Sequence, residues 1–309
     1  MGRQQQQFQA LGSTALITLV TKTDTAYRQR LFNQITRHII KFEQQFSRFL
    51  ADSELTQFNK RAGLKVPISQ SFLRMLEVNK ALSEATDGLY NPFILPALQQ
   101  AGYIGSWTNQ GTNKIVNDYR NRQISLIDNL IIGDSWAKIP KNSALDFGGI
   151  GKGYLLDELS HILSIKKLSG YWLSLGGDII CAGYDLDNEA WKVAIQDAKD
   201  TSQIIDYISN QNGNVLAIAT SGITKRKGIK NGQGWHHIID PRTGEPATTN
   251  ILTVTVTADR AVIADVYAKC IVIAGAKQAD TYKCPGVIQS YFLQLNDKEH
   301  TLINPSLIP

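Results

Sequence analysis

The sequence predicts an α+β fold, and three observations carry that prediction. Apolar residues recur at three- and four-residue steps through the early part of the chain, which is the period of helices. Short alternating or β-branched runs fill the later part, which is the period of strands. The two kinds of segment do not alternate regularly, as they would in a doubly wound parallel sheet. With 309 residues, 43% hydrophobic and 19% charged, the chain has the composition of a globular protein with a substantial core.

The elements follow in order. The glutamine run at 4–7 reads as a frayed end, and "ALITLV" (15–20) as the first strand. Leu31, Ile35, Ile39, Phe42, Phe46 and Phe49 then mark one face of a helix over 24–49. Asp52-Ser53-Glu54 resembles the cap of a short second helix that ends at Gly63, and a third helix spans 69–86 until Asp87-Gly88 stops it. The stretch 102–145 is polar, with β-like pieces such as Gln123 to Ile127. A helix is expected over 154–167. Strands are expected at "YWLSLGGDIICAG", "WKVAIQD", "VLAIAT", "WHHIID" and "ILTVTVTAD", followed by a helix, "VIADVYAKCIVIAG", and a final strand, "GVIQSYFLQL".

Charge and cysteine usage exclude several classes. A net charge of +5 with no basic stripe speaks against nucleic-acid binding. The one tight cluster, Lys225-Arg226-Lys227 with Lys230, suits a small phosphorylated ligand or an ordinary solvated loop. Cys181, Cys270 and Cys284 are too few and too scattered for a disulfide framework or a zinc site. No apolar run reaches membrane-spanning length. The N-terminus shows neither a leader nor a lipid-attachment cysteine, so a cytoplasmic chain is expected, with an exported form trimmed of its leader as the alternative.

Five segments carry candidate chemistry. "DFGGIGKGYLLD" (146–157) sets four glycines and Lys152 ahead of a helix. That arrangement suits anionic oxygens or simply a tight turn; it lacks the first glycine and the hydroxyl of a Walker loop. The glycines of "SLGGDIICAG" suggest a bulge, with or without a ligand against the backbone. In "TSGITKRKG", Ser221 and Gly222 precede cations, as in a phosphate loop or a solvated hairpin. "WHHIIDPRTG" ends a strand in a turn, and alternation would send His236 and His237 to opposite faces, so that at most one serves a given site. "ADVYAK" places Asp265 and Lys269 one helical turn apart. They form either an exposed ion pair or a pair turned into a polyphosphate site.

Taken with "FQALGST", "FSRFLADSELTQFN", "ATDGLYNP" and "AIATSG", these segments resemble the ApbE-type FAD:protein FMN transferase family nearly end to end. The resemblance implies one T-fold-like α+β domain over 1–309, with mixed or antiparallel sheets, packed helices and an FAD cleft between two lobes. It implies FAD as substrate, a divalent cation, usually magnesium, and transfer of FMN to a threonine or serine of a target protein with release of AMP. By resemblance His237 is the base, with His236 turned away. Asp146 and Lys152 touch FAD, Ser221, Gly222 and Ile239 belong to its site, and Leu11, Phe49, Leu89, Tyr90 and Asn91 match flavin- or adenine-side contacts. The Gly149 carbonyl and the Asp265 carboxylate match metal ligands. Two positions depart from the family: Asn91 stands where aspartate is common, and Lys269 where a metal-ligating threonine is usual. A protonated amine has no lone pair to donate, so Lys269 would pair with Asp265 in the cation's place. Two other activities fit the same residues: FAD pyrophosphatase, yielding FMN and AMP, and non-catalytic FAD binding.

Overall fold

The computed structural model describes residues 2–103, 126–230, 232–282, 288–296 and 300–303. Its N-terminal part comprises β1 (Gly2–Ala10), β2 (Ser13–Thr21), α1 (Thr25–Phe46), α2 (Glu54–Lys60), β3 (Val66–Pro67), α3 (Gln70–Ala85) and α4 (Leu95–Ala101). The middle holds α5 (Leu126–Asn129), β4 (Ile131–Ile132), β5 (Trp136–Lys138), α6 (Gly151–Ser164), β6 (Gly170–Leu175), β7 (Asp178–Gly183), β8 (Lys192–Gln196) and β9 (Ile204–Ser209). The remainder is β10 (Leu216–Gly222), β11 (Lys227–Lys230), β12 (Gln233–His236), β13 (Ile239–Asp240), β14 (Glu245–Pro246), β15 (Ile251–Ala258), α7 (Ala261–Ala274), β16 (Ser290–Leu295) and β17 (His300–Ile303).

Eight strands form one antiparallel sheet in the order β1-β2-β6-β7-β10-β15-β16-β17. Its central strands bury both faces. On β10, Ala217 and Ala219 join the large core with α6 and α7, while Leu216 and Ile218 join a second cluster with Trp191 and Val193 of the β8 region. The same alternation sorts Tyr171 and Leu173 from Trp172 on β6. Helices α1, α2 and α3 carry their own side-chain caps, from Asp24, Ser53 and Ser69 respectively.

Several expectations change. The glutamine run is not frayed: β1 pairs with β2 from Gly2↔Thr21 to Ala10↔Ser13, and Gln5 accepts a 3.2 Å hydrogen bond from Thr18. Strand pairing with an apolar partner outweighs the low β-propensity of glutamine, and polar side chains suit a sheet edge. "YWLSLGGDIICAG" is two strands. Leu175 lies opposite Asp178, and Gly176-Gly177, both at positive φ (60° and 97°), make the two-residue turn where a bulge was expected. "WHHIID" breaks between β12 and β13, so His237 belongs to neither strand. Helix α6 starts at Gly151, three residues earlier than expected, and β17 follows the strand expected to be last. Of Gln123 to Ile127, the first three residues lie outside the described residues, as does Cys284, and Leu126 and Ile127 are helical.

Helices α6 and α7 cap each other crosswise. Asp157 of α6 accepts from the first amides of α7, Ala261 N at 2.6 Å and Val262 N at 3.3 Å. Asp265 of α7 accepts from Gly153 N, in the first turn of α6, at 3.3 Å. Gly153 permits the approach: a Cβ there would lie 2.5 Å from the Ala261 carbonyl oxygen, whereas one at Gly151 would meet only Phe42, at 3.7 Å. Gly153→Ala is therefore expected to destabilise the protein by about 1–3 kcal/mol, the usual cost of overpacking, and Gly151→Ala by much less. Urea unfolding of the two variants measures the difference; equal midpoints would refute the close-approach reading.

Candidate active site

One pocket collects most of the residues singled out in the sequence. Leu11, Phe49, Leu89, Tyr90, Asn91, Asp146, Gly149, Lys152, His237, Ile239 and Lys269 all line it. Three singled-out residues do not. Ser221 and Gly222 pair with Val254 and Thr253, and Gly222 lies so close to the Leu252 carbonyl that any side chain would collide with it. Asp265 is 1% exposed and sits behind Lys269.

The floor is built from the "DFGGIGKG" segment. The Asp146 amide donates to the Pro92 carbonyl (2.8 Å), and its carboxylate accepts from Gly148 N (3.2 Å), which folds the glycine turn back onto the side chain. Lys152, on the first turn of α6, forms an ion pair with Asp178, which the Gly176-Gly177 turn delivers. Burial lowers the Lys152 pKa to about 8, against the opposing pull of Asp265.

One wall is aromatic and apolar. It includes Phe49, Leu89, Tyr90, Ile94, Leu98 and Tyr103, with Leu11 at the tip of the β1–β2 hairpin. Leu11 has φ of 53°, a conformation costing a non-glycine residue about 1–2 kcal/mol. The Tyr90 hydroxyl donates to Asn79 Oδ1 at 2.5 Å, and burial raises its pKa further beyond reach. Asn91 caps the short 3-10 turn Pro92–Ile94 by accepting from Phe93 N at 2.9 Å, a task an aspartate would do equally well.

Sequence reasoning passed over Arg48. Its Nε is 3.3 Å from Asp146 Oδ1, its guanidinium lies over Phe49 (4.2 Å) and Tyr103 (5.0 Å), and its buried Nη1 has no hydrogen-bond partner. An arginine between two phenylalanines at a helix exit, "FSRF", was the signal available, because aromatic neighbours cover a guanidinium and aim it inward.

The basic cluster divides. Arg226 lines the pocket, whereas Lys230 donates to the Gln100 carbonyl at the foot of α4. The Arg226 carbonyl accepts the His237 amide at 3.2 Å, joining the two main chains at the open end of the β11–β12 ribbon, and both side chains line the pocket. His237 packs edge-on against Tyr103 (6.3 Å, 61°). His236 turns away, its Nε2–H donating to the Ala247 carbonyl at 3.1 Å. Desolvation, then the charges of Arg226 and Lys269, depress the His237 pKa from 6.5 to about 3; desolvation also lowers that of His236.

The Asp265–Lys269 pair is buried, not exposed: the side chains are 2% and 18% accessible, on a helix that is apolar nearly all round. Lys269 Nζ donates to both the carboxylate and, at 3.2 Å, the backbone oxygen of Asp265. The residues present do not fit a divalent cation. The ammonium holds the carboxylate oxygen such an ion needs, and no group of three or more His, Cys, Asp or Glu that could hold a metal occurs among the described residues.

The ApbE family profile matches residues 11–286. The chain belongs to the ApbE family. Among its relatives, the FAD:protein FMN transferase of Vibrio cholerae is 27% identical over 281 residues, covering 87% of this chain and 80% of that one. The FAD:protein FMN transferase of Escherichia coli K12 is 26% identical over 246 residues, covering 77% and 69%. In fold, the chain matches the crystal structures of the Thermotoga maritima ApbE protein and of the Pseudomonas stutzeri flavinyl transferase ApbE in its apo form. Each superposes with a TM-score of 0.83, at 22% and 19% identity, over at least 96% of either chain. The α+β class is that of ApbE structures, and no helix among the described residues is long and apolar enough to cross a membrane.

His237 stays neutral in the fold where the unfolded chain's imidazole protonates, and burial shifts His236 in the same direction. Between roughly pH 6.5 and 3 the unfolded state binds more protons at His237, so stability is full above that window and falls as the pH drops through it. His237→Gln should flatten this acid limb by up to about 1.4 kcal/mol per pH unit. Unfolding free energies measured across the window check this, and an unchanged slope would place the His237 imidazole in contact with solvent.

Proposed function

We propose that the chain is an FAD:protein FMN transferase, a single domain that moves FMN from FAD to a threonine or serine of a target protein and releases AMP. The observation that carries this reading is one pocket lined by two chemically distinct sets of side chains. Aromatic and apolar side chains suit flat rings, and Lys152, Arg226 and Lys269 converge beside His237 to suit a pyrophosphate. The family membership and the names of the relatives point the same way.

In this reading His237 accepts the proton of the acceptor hydroxyl. The hydroxyl oxygen bonds to the FMN-side phosphorus as the bridging P–O bond breaks, and AMP departs with the bridging oxygen. Phosphoryl transfer of this kind depends chiefly on positioning and charge neutralisation, which the three cations provide. Arg48 and Asp146 hold each other beside Phe49 and Tyr103. An imidazole with a pKa near 3 is a weak base in the ligand-free pocket. A pyrophosphate among the cations offsets their repulsion and raises the imidazole's basicity when FAD is bound.

Incubation of the protein with FAD and a target polypeptide should give AMP and covalently attached FMN in equal amounts. FMN released free, with no modified target, would identify a hydrolase, and neither product would refute the assignment. His237→Ala should lower turnover by about 10²–10⁴-fold, the usual contribution of a general base, with His236→Ala far milder. The acid limb of kcat should lie at higher pH than that of kcat/KM, because kcat reports the FAD-bound state.

A further inference from the structure

We infer that this chain neutralises its FAD pyrophosphate without a bound divalent cation, Lys269 taking the cation's place against Asp265 and Arg226 supplying the unmatched positive charge; the inference rests on the flavin-transfer reading above.

Both oxygens of the Asp265 carboxylate are already engaged. One oxygen accepts from Lys269 Nζ, the other from Gly153 N at 3.3 Å, and the residue is 1% exposed. A magnesium ion requires about six oxygen ligands in near-octahedral array. To take Asp265 as one of them it must evict an ammonium held by both the carboxylate and the backbone oxygen of the same residue. The lysine stem runs beside Gly149: a Cβ built on that glycine would touch Lys269 Cδ at 3.7 Å and Cε at 3.8 Å, so the stem lies against the glycine turn.

Charge balance then identifies the second member. Asp265 with a dication would present a net single positive charge to the pocket, whereas Asp265 with Lys269 presents none. Lys152 is likewise matched by Asp178, and Arg48 by Asp146. Arg226 lines the same pocket and pairs with no carboxylate among the described residues. Its carbonyl accepts the His237 amide, and its charge is felt by the imidazole, whose pKa it helps to lower. The unmatched guanidinium restores the positive charge that the lysine pair lacks, and a planar fork suits two phosphate oxygens at once.

The test uses the full chain. FAD affinity, read by quenching of flavin fluorescence, and AMP release are measured in EDTA and through a magnesium titration. Both should be the same at either end for the wild type. A ligand that took part would make them depend on its concentration by mass action. Arg226→Gln should weaken FAD binding about tenfold in EDTA and in magnesium alike, the loss of one charge-assisted bidentate contact. Lys269→Thr should lose release in EDTA and regain it with magnesium, and Lys269→Arg should keep the wild type's indifference; circular dichroism checks that each variant folds. Wild-type release that stops in EDTA and returns with magnesium, while FAD still binds, overturns this inference alone. Failure to bind FAD under every condition overturns the flavin-transfer reading as well.

Discussion

The mutual capping of α6 and α7 is the constraint on which the rest of the site depends. Each helix presents its N-terminal amides to an aspartate in the body of the other, Asp157 to Ala261 and Val262, and Asp265 to Gly153. Neither helix has a side-chain cap from the residue preceding it, so both rely on the exchange. It brings the two helix backbones close enough that only glycine fits at residue 153, and it places Lys152 and Lys269 on adjacent walls of the pocket. The contacts that hold the core together thus also determine where the cations stand.

Most of the charge in the site is matched before any ligand arrives. Three basic side chains have carboxylate partners, Asp146, Asp178 and Asp265, that are themselves nearly inaccessible. Pairing of this kind contributes little net stability, because desolvation offsets the attraction, but removing one partner is costly. Its value lies in holding donors in fixed positions, so that little reorganisation is needed as charge develops on a transferring group. Arg226 and the buried Nη1 of Arg48 are the donors left over, and both belong to the pocket.

The starts of the helices with amphipathic periods and explicit caps were legible in the sequence almost to the residue, because a serine or aspartate before an apolar stripe is a local signal; their ends were not, since α1 stops at Phe46, leaving Phe49 outside it, and α2 at Lys60, short of Gly63. The identity of the glycine-lysine and histidine-turn segments was legible too. What local pattern could not convey was pairing. The glutamine strand is ordered by β2, a partner whose apolar face compensates for its own composition. The two glycines after Leu175 read as a bulge until the strand they join is seen to reverse. Ser221 and Gly222 suited a phosphate loop or a solvated hairpin, and the small size of Gly222 serves the contact between β10 and β15. Asp265 and Lys269 were read correctly as neighbours, but their burial follows from the helix being surrounded on all sides, which a spacing of four residues does not reveal.

The imidazole of His237 and the guanidinium of Arg226 flank the open end of a ribbon four residues long on each side, whose other end is tied to α4 through Lys230. A backbone hydrogen bond, from the histidine amide to the arginine carbonyl, joins their main chains. Both residues therefore depend on one short ribbon. Loosening its anchor at α4 shifts both groups together, so the energetic effects of damage to the anchor and to either group cannot be summed.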